Sequence, residues 1–517
     1  MTQVQSEIII ITYNKLVYCD ADGERESMTK EERALRAHEN RDLTRGNIAK
    51  KIILFALPIM LGNLFQQFYN VVDSWVVGNF AANGTACLAA VNASFPIMMF
   101  FNSIYIGISM GATIILSQYK GAKDYENLEK AMTTTFMLSL WCGIIITVIG
   151  LLTARLILEA LGTPEAVLHD ATLYLRIIFI GTCGNVIYNG MNGMCRGVGD
   201  AKFPMYALII SALLNIALDL LFVKQFHWDV AGVAWATIIA HFLSGILMVW
   251  KQNTGVYGAK VNFRNLRMDG GMLKLILKLG LPAAVQNAMF SVGNMITQSF
   301  SNRFGVNYLA AHAIIMKADG FAVLPMIGMQ MATTSYVGQN IGAGDIKRTN
   351  KGIGVSCLIG SVIAVIVGAL LLLFGRDLMA IFNVHDEALQ MGITGLNFIA
   401  WFYIFMALQN VIGGALRGAG ASIPSAISSI AATLLRIPLG LFLAIRPLER
   451  ACQAAVEAGQ YATAKLAEAA GVGMEHYFGL IQTWGFGMAI GLIVLLPYFF
   501  FGNWRSKGIT DKAKQLQ

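Results

Sequence analysis

The sequence predicts an all-α polytopic membrane protein, with twelve transmembrane helices in two parallel six-helix repeats, or lobes, around a central cavity. Three observations lead to this prediction. Of the 517 residues, 56% are hydrophobic and only 13% are charged, which is more apolar surface than one soluble core needs. Twelve apolar runs are each long enough to cross the hydrocarbon core, which takes about 20 residues. The chain also repeats itself at a constant spacing.

The apolar runs define the twelve predicted spans. They lie at 50–79, 86–117, 127–152, 169–195, 203–224, 230–250, 273–303, 308–337, 353–374, 391–416, 423–446 and 480–502. Lys and Arg concentrate in alternate loops, and loops rich in these residues face the cytoplasm. We therefore expect a multi-pass protein of the plasma (cytoplasmic) membrane with both termini in the cytoplasm.

An internal repeat relates the two halves of the sequence. "ALPIMLGNLFQQFYNVVDSW" aligns with "GLPAAVQNAMFSVGNMITQS" at the prolines Pro58 and Pro282. Three further pairs share an offset of 221 residues: "LAAVNA" with "LAAHAI", "SQYKGAKD" with "GQNIGAGD", and "CRGVG" with "LRGAG". Because each half has an even number of spans, both enter the membrane the same way up. Parallel repeats of this kind place a transport pathway at their interface.

The repeat and the spans set the domain organisation. We expect a cytoplasmic N-terminal tail (1–49), a first lobe (50–250), a cytoplasmic linker (251–272), a second lobe (273–502) and a cytoplasmic C-terminal tail (503–517). Either Met1 or Met28 is the true start. The second lobe contains an insertion at 447–479 that the first lobe lacks. Its composition favours helix. We expect it outside the membrane, either as an inert insertion or as a segment that lies over the exit or binds a partner.

Several function classes lose support. The net charge of +8 resides in short loops, so we expect no nucleic-acid partner. The seven cysteines form no CxxC pair and read as small apolar side chains. Because Walker A, HExxH and GxSxG motifs are absent, ATP-driven transport and the familiar hydrolase reactions are disfavoured.

Polar residues inside the spans are the functional candidates, because an ionisable group at membrane depth is costly. Asp73 in span 1, Asp219 in span 5 and Thr237 in span 6 all fall roughly 8 to 10 Å below the outer surface at 1.5 Å per residue. Asn215 and Asp219, four residues apart, share one helix face. These four residues therefore predict a single site in the first lobe.

The motifs resemble those of the multidrug and toxic compound extrusion (MATE) family of cation-coupled antiporters. The resemblance covers residues 45–505 and rests on "LP" in span 1, "VDSWVVG", "GQNIGAGD" and the paired "RGVGD" and "RGAGA" turns. It implies export of cationic or amphipathic drugs and toxic organic compounds in exchange for H⁺ or Na⁺. It also implies that Asp73, Asn215, Asp219 and Thr237 form the cation site, as in the DinF-like branch.

The chemistry of such a site is simple. Two carboxylates in a low-dielectric pocket cannot comfortably both be ionised. A proton, a Na⁺ ion held by the oxygens of Asp73, Asn215, Asp219 and Thr237, or a cationic drug relieves this repulsion, and mutually exclusive occupancy gives antiport. Pro58 removes a helix hydrogen bond and predicts a bend in span 1.

The second lobe carries different ionisable residues. Thr297 stands where the first lobe has Asp73, so the fold does not require an acid there. Lys317, Asp319 and Arg436 fall near mid-membrane and form either a buried charge network or part of the substrate route. Arg436 is the expected partner of Asp319, because Lys317 and Asp319 do not share a helix face.

Further polar side chains in the spans are candidates for contact with a small drug-like substrate. They are Gln66, Tyr69, Asn70, Asn185, Tyr188, Asn189, Gln286, Asn287 and Gln409. We expect a monomer in the bilayer with no catalytic residue, no resident metal and no cofactor beyond the coupling ion. Two alternatives remain open at this point: a flippase of lipid-linked oligosaccharides and, more remotely, a membrane-embedded enzyme.

Overall fold

The computed structural model describes residues 41–80, 84–381 and 386–510. Most of the predicted N-terminal tail and residues 511–517 of the predicted C-terminal tail therefore lie outside the described residues. Within these residues, the first half contains six helices: α1 (Ile48–Phe80), α2 (Gly84–Ala122), α3 (Tyr125–Ala160), α4 (Glu165–Gly197), α5 (Lys202–Asp219) and α6 (Asp229–Asn253). The second half contains α7 (Gly270–Ser301), α8 (Gly305–Gly342), α9 (Ile346–Ile381), α10 (Asp386–Ala400), α11 (Tyr403–Gly418), α12 (Ser422–Gly440), α13 (Arg446–Glu457), α14 (Ala464–Ala469) and α15 (Tyr477–Phe501).

The described helices account for the predicted spans. Eleven are long and apolar enough to cross a membrane, and the pair α10 and α11 makes a twelfth if it is counted as one span. Apolar side chains on the outside face lipid rather than a core. Leu152 on α3 is 79% exposed and its repeat partner Leu373 on α9 is 73% exposed. The twelve-span, all-helical prediction is confirmed as a multi-pass fold.

The tenth predicted span, 391–416, is not one straight helix. The chain bends by 46° between α10 and α11, where the backbone N–H of Phe402 donates to the carbonyl of Ile399 at 2.8 Å in a tighter turn than an α-helix makes. The ring of Phe402 packs against Phe398 and Phe486 at this point. Because neither glycine nor proline marks the bend, hydropathy and helix-breaker rules give no sign of it.

The same helix pairs pack together in both halves. In the first half, α4 packs on α2, α3 and α6, while α5 packs on α1 and α6. In the second half, α11 takes the place of α4, and α12 packs on α7 and α15 as α5 packs on α1 and α6. The halves meet where α2 packs on α7 and α8 packs on α1. This repeated pattern is what two parallel six-helix repeats require.

Helices α5 and α12 share a further local feature. Each ends in a π-helical turn, at Leu220–Gln225 and Leu441–Ile445 respectively. The two turns begin at repeat-related residues, 221 positions apart. Such turns are rare and frequently occur at functional sites, and both lie directly beyond the polar residues described below.

Helices α2 and α8 cross at the end of the bundle that carries residues 43–47 and 502–510, here called the terminal face. A Cβ atom at Gly121 would collide with the backbone of Gln339, and one at Gly342 would collide with the backbone of Gln118. Gln118 Nε2 donates to the carbonyl of Gly418 at 2.9 Å, and Gln339 Nε2 donates to the carbonyl of Gly197 at 3.0 Å. The two glutamines are repeat partners, so each half is fastened to the other by the same bond.

The segments at residues 43–47 and 502–510 contribute to the contact between α2 and α8. The backbone N–H of Leu43 donates to Gln339 Oε1 at 3.0 Å, and that of Ile509 donates to Gln118 Oε1 at 2.8 Å. Leu43 is buried. Each glutamine side chain therefore donates from its nitrogen to the opposite half and accepts at its oxygen from Leu43 or Ile509. These bonds close the bundle at this face.

The insertion lies at the opposite end of the second half. Span 11 continues as helix beyond its predicted end, through the π-helical turn and α13 to Glu457. Arg303, in the 3-10 turn between α7 and α8, donates to both carboxylate oxygens of Glu468 at 3.0 Å and to Glu449 at 2.9 Å. The insertion is thus tied to the α7–α8 turn by a charged, bidentate contact.

Candidate functional site: a buried two-carboxylate cluster

Helices α1, α5 and α6 bring the four predicted residues of the first half together. With its amide oriented to satisfy the hydrogen-bond network, Asn215 donates to Asp73 Oδ1 at 2.8 Å and to Asp219 Oδ2 at 3.2 Å. The Asn215 oxygen accepts from the backbone N–H of Thr237 at 3.2 Å. One amide therefore links three helices, and it lies between the two acids.

Local helix geometry explains this convergence. Asn215 and Asp219 lie one turn apart on α5, so their side chains leave the same face. Both are fully buried. The π-helical turn starts directly after Asp219. The hydroxyl of Thr237 bonds within its own helix, donating to the carbonyl of Val233 at 2.9 Å.

The two carboxylates lie close together, since the single Asn215 amide reaches both of them. Two acids this close repel each other when both are ionised, and one proton or cation relieves the repulsion. Asp219 Oδ1 is buried and receives no donor from the part of the chain that the structure describes, so it has room for a proton or a cation. The cluster can therefore hold one positive charge between two acids.

Aromatic hydroxyls complete the surroundings. Tyr69 on α1, predicted only as a substrate contact, lies close to both Asp73 and Thr237. Tyr174 on α4 is buried and lies close enough to Asp73 and Asp219 to interact with them electrostatically. Sequence reasoning missed Tyr174, because a single tyrosine in an apolar span carries no distinguishing signal.

A proton and Na⁺ place different demands on the Asn215 amide. A Na⁺ ion needs several oxygen ligands, whereas Asn215 presents its N–H₂ group to the acids and uses its oxygen on Thr237. No group of three or more His, Cys, Asp or Glu side chains suited to a metal ion occurs among the described residues. The expected oxygen shell from Asn215 and Thr237 would require the amide to rotate. Na⁺ would enter as a transported substrate rather than as a resident ion.

The other polar candidates mostly bond to neighbouring helices. Gln286 Nε2 donates to Ser429 Oγ at 2.9 Å, and Gln409 Nε2 donates to Ser428 Oγ at 3.1 Å. Asn287 bonds to its own helix. These side chains stabilise packing against α12 or within α7, and the structure does not bring them to the two-carboxylate cluster.

The remaining candidates for substrate contact lie on α1 and α4. Asn189 Nδ2 donates to Asn185 Oδ1 at 2.7 Å on α4, and Tyr188 is buried nearby on the same helix. Gln66 on α1 is exposed. Asn70 lies in α1, but its side chain is outside the described residues. Pro58 lies inside α1, which runs as one helix past it, so the bend stays a prediction.

The ionisable residues of the second half do not form the expected ion pair. Asp319 accepts a hydrogen bond from Tyr403 Oη at 2.7 Å. Arg436 instead stacks its guanidinium over the ring of Trp484, 5.1 Å from the centroid, and interacts with Asp319 only electrostatically. Lys317 is exposed. Helix-face arguments were too coarse to find Tyr403 and Trp484, which come from helices distant in sequence.

Comparison with known proteins identifies the family. The MatE family matches the chain twice, over residues 58–221 and 282–442, which agrees with the internal repeat. The chain is 32% identical to the probable multidrug resistance protein YpnP of Bacillus subtilis, over 74% of this chain and 84% of that protein. It is 26% identical to the probable multidrug resistance protein NorM of Thermotoga maritima, over 91% of this chain and 96% of that protein.

Solved structures share the fold. A multidrug resistance MATE family transporter of the MOP superfamily, in an outward-facing conformation, superposes with a TM-score of 0.77 at 23% identity, over 92% of this chain and 98% of that one. These relatives are transporters, not enzymes, and they lend no support to the flippase alternative. The chain belongs to the MatE family, the multidrug and toxic compound extrusion transporters.

Proposed function

We propose that this protein is a multidrug antiporter of the plasma membrane that exports cationic or amphipathic compounds in exchange for protons, through the cluster of Asp73, Asn215 and Asp219. The observation that carries the proposal is the single amide of Asn215 lying between two carboxylates on different helices. The multidrug resistance names of the relatives support the substrate class. The terminal face is the cytoplasmic one, and the protein acts as a monomer.

The mechanism follows from charge. One proton shared by Asp73 and Asp219 removes the repulsion between the two carboxylates. Asn215 in turn donates a hydrogen bond to one oxygen of each acid. A positively charged drug near these acids stabilises their ionised forms and so favours release of the proton. Because only one positive charge is accommodated at a time, inward proton movement and outward drug movement alternate at one site. Na⁺ could substitute only after the Asn215 amide rotates to present its oxygen.

Transport in proteoliposomes tests the proposal. Efflux of a fluorescent organic cation is measured under a pH gradient alone and under a Na⁺ gradient alone. We expect the pH gradient to drive transport in the wild type, and Asp73→Asn and Asp219→Asn each to abolish the gradient-driven component. Glu159→Gln, which removes an exposed acid paired with Arg155, is the matched control and should transport like the wild type. Undiminished gradient-driven efflux in Asp73→Asn contradicts the assignment.

A further inference from the structure

Arg436 is a buried cation without a conventional partner. Its side chain is 8% exposed and its Nε has no hydrogen-bond partner. Among the residues that the structure describes, it donates no hydrogen bond and forms no ion pair, and its close neighbours are Trp484, Gly487 and the more distant charge of Asp319. A guanidinium Nε withdrawn from water in this way is costly unless something compensates it.

The surroundings hold the guanidinium in place without neutralising it. Trp484 provides a flat face for stacking, and His312 stacks on the same indole at 6.1 Å. On α15, a Cβ atom at residue 487 would lie 2.9 Å from Arg436 Nε, so Gly487 leaves the space that the side chain needs. Asp319, the acid that faces Arg436, is already engaged by the hydroxyl of Tyr403. The guanidinium is therefore held in place, and its N–H groups can still donate to an anionic group.

The internal repeat relates this residue to the two-carboxylate cluster. Arg436 lies 221 residues after Asn215, and both helices enter a π-helical turn a few residues further on. The first half presents two acids at this place in its fold, and the second half presents a cation. The two halves thus place opposite charges at repeat-related positions of the fold.

We propose that Arg436 forms a second subsite that binds the carboxylate group of an amphipathic compound which also carries a positive charge. A guanidinium binds a carboxylate through two parallel N–H donors, and stacking on an aromatic face leaves these donors free. The inference rests on the proposed function, in which the positive charge is bound by the acids of the first half. Compounds with both charges then have an additional contact that purely cationic compounds lack.

Equilibrium binding tests this subsite. The probes are rhodamine B, which carries a carboxylate, and its methyl ester, which does not, and the readout is fluorescence anisotropy with purified full-length protein. We expect the wild type to bind the acid about tenfold more tightly than the ester, as one charge-assisted contact predicts. Arg436→Gln should reduce this ratio to about one, and Arg436→Lys should leave an intermediate ratio because the charge remains without the fork.

A matched control removes a positive charge elsewhere. Arg155→Gln deletes an exposed arginine that pairs with Glu159, and it should keep the wild-type ratio. The subsite is overturned if the wild type does not prefer the acid, or if Arg436→Gln retains the preference. Should Arg436→Gln not fold, the wild-type and Arg436→Lys ratios decide the matter. No ion gradient is present in this assay, so a failure of proton coupling leaves its result unaffected, and equal binding of the two probes leaves the coupling proposal standing.

Discussion

Replacing Gly121 with alanine should open the terminal face. A Cβ atom at residue 121 would lie 2.6 Å from the carbonyl carbon and 2.8 Å from the Cα of Gln339. Backbone cannot move aside as a flexible side chain can, so α2 and α8 must separate. Overpacking of this kind costs about 1 to 3 kcal/mol, and it applies to the closed arrangement only. The ratio of open to closed molecules should therefore rise about 5- to 150-fold.

The assay is a distance measurement between spin labels across the terminal face. Lys123, after α2, and Lys347, at the start of α9, are both exposed and serve as labelling sites in a background without native cysteines. We expect Gly121→Ala to shift the distance distribution towards longer values. Gly354→Ala is the matched control, because a Cβ atom there meets nothing within 4 Å, and it should leave the distribution unchanged.

A second variant tests the same closure in case the overpacked Gly121→Ala protein does not fold. Gln118→Ala adds no atoms and removes the bonds to Gly418 and Ile509, which together contribute about 1 to 3 kcal/mol. It should shift the same distribution in the same direction. Unchanged distances in both folded variants would refute the reasoning that this crossing holds the face closed.

Two further predictions concern stability. Asn215→Leu should lower the free energy of unfolding by about 2 to 4 kcal/mol, because the buried Asp219 and the partly buried Asp73 lose their donor. Thermal denaturation in detergent measures this loss. Asn287→Leu, whose amide donates within its own helix, should cost less than half as much. Arg303 lowers the pKa of Glu468, so the ion pair stabilises the protein above the ordinary glutamate pKa of about 4.3, and this contribution disappears as pH falls through the lowered pKa. The melting-temperature difference between wild type and Glu468→Gln should therefore be present at pH 7 and vanish at strongly acidic pH, and a difference independent of pH would contradict the assignment.

The sequence predicted the features that depend on composition and spacing. Spans follow from hydropathy because a bilayer demands long apolar helices. The proximity of Asp73 to Asn215 and Asp219 followed from their common depth, which topology alone supplies. The family match over two separate segments independently supports the repeat read from short motifs.

Features that depend on side-chain direction could not be predicted. The orientation of the Asn215 amide depends on its partners Asp73 and Thr237, which lie on two other helices. Arg436 and Asp319 lie at similar depth, yet Trp484 and Tyr403 engage them separately. The bend before α11 has no glycine or proline to mark it. In each case the deciding contact joins residues that no sequence pattern connects.

The glutamines of the terminal face have a practical consequence for anyone who handles this protein. Gln118 and Gln339 each bond to the backbone of a segment outside the α-helices, at Ile509 and Leu43 respectively. A truncation or an insertion that reaches either segment therefore removes part of the fastening between the halves. Engineered variants should leave both segments intact, and transport rates from variants that lack one of them will reflect the damaged fastening as well as the transporter.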